Sequence, residues 1–66
     1  MNNIEQALPK MRTIRETAEI TKPLGVSEFM LRRLVREKKI VYVLVGNRVL
    51  INLDKLIEFL NRGEQL

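Results

Sequence analysis

The sequence predicts one small, mainly α-helical domain with a β-hairpin: three helices and a sheet of two to three short strands. Three observations predict it. Two helix starts, at Thr13 and Ser27, flank the breaker run Lys22-Pro23-Leu24-Gly25. Two β-branched runs, Ile40–Val45 and Arg48–Ile51, flank Gly46-Asn47, a strong signal for a two-residue hairpin. A third apolar stripe then follows Asn52, another capping residue. At 66 residues and 7.8 kDa there is room for a single domain. A chain of this size buries only about 60% of its unfolded surface, so the core must be economical.

Residues 1–10 show no sustained period and are interrupted by Pro9, so they read as an arm, with Ile4 or Leu8 available to dock on the body. Met11–Thr13 reads as a short strand. Thr13 and Glu16 stand three apart, the spacing of a capping box, and open a helix from Ile14 to about Thr21. Its inner stripe is Ile14, Thr17, Ala18 and Thr21, whose mostly small side chains suit close approach by a second helix. Pro23 ends this helix and Gly25 permits the change of direction.

Ser27 caps the second helix, expected from Glu28 to about Lys38, with Val26 and Leu31 in the positions of a hydrophobic staple. Leu31, Leu34 and Val35 share its inner face, flanked by Met30. Phe29, Arg33 and Arg36 lie opposite, with Arg32 to one side and Glu37 to the other. A two-residue turn at Gly46-Asn47 pairs Val45 with Arg48 and Tyr42 with Ile51. One sheet face is then Tyr42, Leu44, Val49 and Ile51; the other is Val43, Val45, Leu50 and Arg48. Asn52 caps the third helix, stapled by Ile51 and Leu56, with Leu53, Leu56, Ile57 and Leu60 as its expected stripe and Gly63 as its stop. The domain is thus expected over 11–62, with a tail over 63–66.

Composition narrows the chemistry. There is no cysteine and no histidine, which removes thiolate and imidazole metal sites and the commonest general base. No catalytic site, metal site or cofactor is expected: the three glycines stand at structural stops, the carboxylates are dispersed, and no serine has a base nearby. No apolar run reaches the length of a membrane span, and the expected setting is cytoplasmic. The net charge is +4. Residues 28–39 alone carry five cations, Arg32, Arg33, Arg36, Lys38 and Lys39, against Glu28 and Glu37, whereas residues 52–66 are net negative. Charge concentrated in one stretch is the footprint expected of a polyanion-binding surface, although a merely solvated helix face has the same composition.

The order of elements weighs against that plainer reading. A helix–turn–helix followed by a hairpin is a winged helix, and the basic helix occupies its recognition position. The major groove of B-DNA admits one α-helix, and arginine can bind guanine through two parallel hydrogen bonds or bind phosphate from the flanks. A wing tipped by Arg48 suits the neighbouring backbone or minor groove. Phe29 can meet thymine methyls or fold back onto the first helix. Lys38 and Lys39 suit phosphates or the helix dipole.

Thr13–Leu60 also resembles the excisionase-like branch of small winged helix–turn–helix proteins, related in fold to the mercury-regulator DNA-binding domain. The stretches that carry the likeness are RTIRETAEIT, VSEFMLRRLVREKKI and YVLVGNRVLINLDKLIEFL. Two features depart from the family pattern: Lys22-Pro23-Leu24 lengthens the turn, and Lys38 stands where many relatives carry glycine. The resemblance implies a recombination directionality factor that binds and bends double-stranded DNA to assist an integrase in excising a mobile element. It further implies that Ser27, Glu28, Phe29, Arg32 and Arg33 face the groove and that Asn47 and Arg48 contact DNA from the wing. With Arg36 and Lys39 from the charge pattern, these form the candidate DNA-binding set. The implied partners are double-stranded DNA, integrase and further copies of the protein on DNA, with the 63–66 tail as a candidate integrase contact. The rival readings are a small winged-helix transcription regulator and a module whose basic face meets an acidic protein.

Overall fold

A computed structural model describes residues 10–63; the expectations for the N-terminal arm and for the tail after Gly63 fall outside these residues. The chain forms β1 (Met11–Thr13), α1 (Ile14–Thr21), a 3₁₀ turn (Lys22–Leu24), α2 (Glu28–Arg36), β2 (Tyr42–Val45), β3 (Arg48–Asn52) and α3 (Leu53–Asn61). The three strands make an antiparallel sheet in the order β1-β3-β2. This is the winged helix–turn–helix arrangement of three helices and a small sheet. Among the described residues, no helix is long and apolar enough to cross a membrane.

Local chemistry accounts for each helix start. The Thr13 hydroxyl accepts from the Glu16 amide at 3.1 Å, and the Glu16 carboxylate accepts from the Thr13 amide at 3.0 Å, completing the capping box. Ser27 Oγ accepts from Met30 N at 3.3 Å and Asn52 Oδ1 from Lys55 N at 3.0 Å. Both staples form: Val26 with Leu31, and Ile51 with Leu56, are all buried. The Leu53 amide, which has no partner within its own helix, donates to the Lys10 carbonyl at 2.8 Å and ties the start of β1 to the start of α3.

The core joins Ile14, Val26, Leu31, Leu34, Ile40, Ile51, Leu56 and Phe59. Two fully buried threonines belong to it. The Thr17 hydroxyl donates to Thr13 O at 2.7 Å. The Thr21 hydroxyl has Thr17 O at 2.9 Å and Val26 O at 3.1 Å as acceptors. In return the Val26 amide donates to Thr21 O at 3.4 Å, so Thr21 clamps the turn from both sides. The longer connection is absorbed by the 3₁₀ turn, which Gly25 closes at φ 82°.

The hairpin has the expected register, Tyr42 with Ile51 and Val45 with Arg48. Gly46 alone has positive φ in the turn, the glycine-first pattern of a II′ hairpin. Strand β1 completes the sheet on the far side of β3, pairing Arg12 with Ile51.

Three expectations are corrected. α2 ends at Arg36, not Lys38, because the chain leaves the helix through Lys38 at φ 58°. Ile40 and Val41 precede the strand rather than belonging to it; Ile40 is a core residue. In α3 it is Phe59 that is buried, at 3% exposed, while Ile57 is 36% exposed. Around the helix Ile57 lies to one side of Leu56 and Phe59 to the other, and the buried band takes the Phe59 side. Leu44 shares the sheet face of Ile51 yet is 68% exposed, since the wing projects beyond the helices that cover Ile51.

Candidate nucleic-acid interface

α2 is amphipathic to the extent its sequence requires. Leu31 and Leu34 are buried, whereas Ser27, Glu28, Phe29, Arg32, Arg33, Arg36 and Lys39 are all exposed. Phe29 stands out from the surface at 73% exposed; it does not fold back onto α1. Asn47 and Arg48 are exposed at the hairpin tip. Every residue of the candidate set is therefore accessible.

Two glutamates organise the cations of this helix. Arg32 Nη2 lies 3.3 Å from Glu28 Oε1, and Arg33 Nε lies 3.1 Å from Glu37 Oε2, both one helical turn apart. Lys39 Nζ is 3.6 Å from the other oxygen of Glu37. The hydrogen bond from Arg33, helped by the charges of Arg33 and Lys39, holds the Glu37 carboxyl below its usual range. All three pairs are solvent-exposed and screened by water, so each contributes little to stability. A polyanion can displace them at little cost. Among the described residues the side chains of Arg36 and Arg48 make no hydrogen bond or ion pair.

The tertiary structure brings the wing and α2 to one place. An open cleft of about 410 Å³ is lined by Thr13, Ile14, Arg15, Glu16, Arg32, Asn47, Arg48 and Val49. The first turn of α1, the flank of α2 and the tip of the wing thus share one concavity. Glu16 reports the same proximity: its carboxyl is held low first by the hydrogen bonds with Thr13 and then by the charges of Arg12 and Arg48. Ser27 lies apart from this cleft, with Lys22 and Gly25 in a separate hollow beside the turn between the helices. Arg33, Arg36 and Lys39 line neither concavity; Arg33 and Arg36 project from the exposed side of α2, and Lys39 is exposed just beyond its end.

Arg15 is the cation that sequence reasoning missed. It had one legible signal: it stands in the first turn of α1, where the helix dipole disfavours positive charge. No protein-family model, curated protein or solved structure matches this chain.

Proposed function

We propose that this protein binds double-stranded DNA, with α2 in the major groove and the β2–β3 wing against the adjoining backbone. The observation that carries the reading is the exposed cationic face of α2 flanked by a cleft that Arg32 shares with Asn47 and Arg48 of the wing. An α-helix fills the major groove, and phosphate contacts on its flanks set its register there. Phe29, Arg33 and Arg36 are then the groove-facing side chains. The protein acts by binding rather than by catalysis, in the DNA-associated fraction of the cytoplasm.

The resemblance of the 13–60 stretch to excisionases supports a specific biological role, that of an accessory factor. Such a factor binds and bends a recombination site, with further copies of itself, so that integrase excises a mobile element. Affinity for a duplex should fall steeply with salt, with a log–log slope of about −4 to −5 if five phosphates are neutralised. A slope near zero, or full competition by an acidic polypeptide, overturns the DNA reading and favours the acidic-protein partner. An integrase-dependent excision assay separates the two DNA readings. DNA binding without any effect on excision makes the protein a transcription regulator instead.

A further inference from the structure

We infer that the cleft between α1, α2 and the wing is a binding site for a single backbone phosphodiester, held jointly by Arg15, Arg32 and Arg48. The inference rests on the DNA-binding reading above and deepens it, because it separates the arginine that positions the protein from those that read bases.

The three arginines come from three different elements, the first turn of α1, the flank of α2 and the first residue of β3, and all three line the same open concavity. Among the described residues the side chains of Arg15 and Arg48 have no hydrogen bond or ion pair, and that of Arg32 has only the exposed pair with Glu28. Arg15 sits where the α1 dipole opposes it, a local cost with no compensating contact in the described structure. Of the first amides of α1, that of Glu16 is already taken, donating to Thr13 Oγ1. The guanidinium forks, whose planar donors match phosphate oxygens, supply the positive charge for the anion. Glu16 is the one carboxylate in the lining, anchored by its bond from Thr13 N. Its fixed negative charge makes the site better suited to the singly charged diester of a nucleic-acid strand than to a doubly charged phosphate monoester.

The lining of the cleft gives Arg32 the same role. At about 100° per residue, Arg36 and Phe29 lie close together on the outward face with Arg33 on one flank and Arg32 on the other, and of these it is Arg32 that lines the cleft with the wing residues Asn47 and Arg48. When the outward face enters the groove, the strand bordering the groove passes over the cleft. Arg32 is then a positioning residue, and base reading falls to Arg33 and Arg36.

The test uses the full chain and random-sequence duplex, because a phosphate contact carries no base information. Arg15→Gln, an exposed substitution compatible with the helix, should weaken binding several-fold, and Arg15→Lys should recover part of the loss. The triple variant Arg15→Gln/Arg32→Gln/Arg48→Gln should reduce the salt slope by about 0.9, the share of one phosphate. A reduction of about 2.7 means three separate phosphates and overturns the shared site. Unchanged affinity and slope in both the single and the triple variant, with the unsubstituted protein binding normally, removes the cleft from the interface. No salt-dependent binding by the unsubstituted protein is a different failure, that of the DNA reading itself.

Discussion

The Lys39 amide donates to the Leu34 carbonyl at 2.9 Å, and between them Lys38 adopts φ 58°. With the Lys38 amide donating to Val35 O at 3.0 Å, this completes a Schellman motif that stops α2 at Arg36 and turns the chain so that Ile40 enters the core. A left-handed backbone costs a residue with a Cβ roughly 1 kcal/mol. Glycine at this position should therefore stabilise the fold: Lys38→Gly is expected to raise the unfolding free energy by about 0.5–1 kcal/mol, and Lys38→Ala to leave it nearly unchanged. Urea unfolding of the two variants checks this. Equal stabilities would show that strain at Lys38 is relieved by its surroundings.

The outward face of α2 makes a second prediction. Arg33 projects opposite the core stripe, while Lys39 lies beyond the helix end, and both contact Glu37. Arg33→Ala should cost the preference for a cognate site about 1–3 kcal/mol, the usual worth of a bidentate base contact. Lys39→Ala should weaken all duplexes alike. Binding curves on a footprinted site and on random duplex separate the two. Loss of non-specific affinity alone in both variants would move specificity to DNA shape or to the wing.

Stability should carry a pH dependence from the capping box. The Glu16 carboxyl is held below its ordinary value of 4.5, chiefly by the hydrogen bond from the Thr13 amide. A folded-state value below the unfolded one means that this contribution is fully present above the unfolded value and lost as pH falls through the folded one. Glu16→Gln keeps the reciprocal cap, since glutamine serves at that position, but does not titrate there. Thermal melts at neutral and acidic pH should show a smaller acid-induced decrease for the variant. An equal decrease in both proteins would locate the acid sensitivity elsewhere, with Glu37 the next candidate.

The packing of α3 can be read out directly. Phe59 is buried and Ile57 lies at the surface. Phe59→Ala should cost about 3–5 kcal/mol, whereas Ile57→Ala should cost under ~1 kcal/mol. Chemical denaturation of each variant checks the pair. A larger cost at Ile57 would mean that α3 is rotated about its axis from the position described.

The sequence by itself determined the parts of this protein whose causes lie within a few residues. The Thr13–Glu16 box, the Ser27 and Asn52 caps, both staples and the Gly46-Asn47 hairpin register all follow from contacts made across one turn of chain. The exposure of Phe29, Arg33 and Arg36 follows from helical period alone. Tertiary structure decided what depends on residues far apart. β3 lies central because β1 returns to pair Arg12 with Ile51, 39 positions later in the chain. Phe59 rather than Ile57 is buried because the sheet and the other helices choose which face of α3 to cover. The meeting of Arg15, Arg32 and Arg48 in one cleft is of the same kind. In sequence Arg32 and Arg48 read as separate DNA contacts, one on the helix and one on the wing, and nothing singles out Arg15; only the packing of α1, α2 and the wing around a shared core brings their charges together.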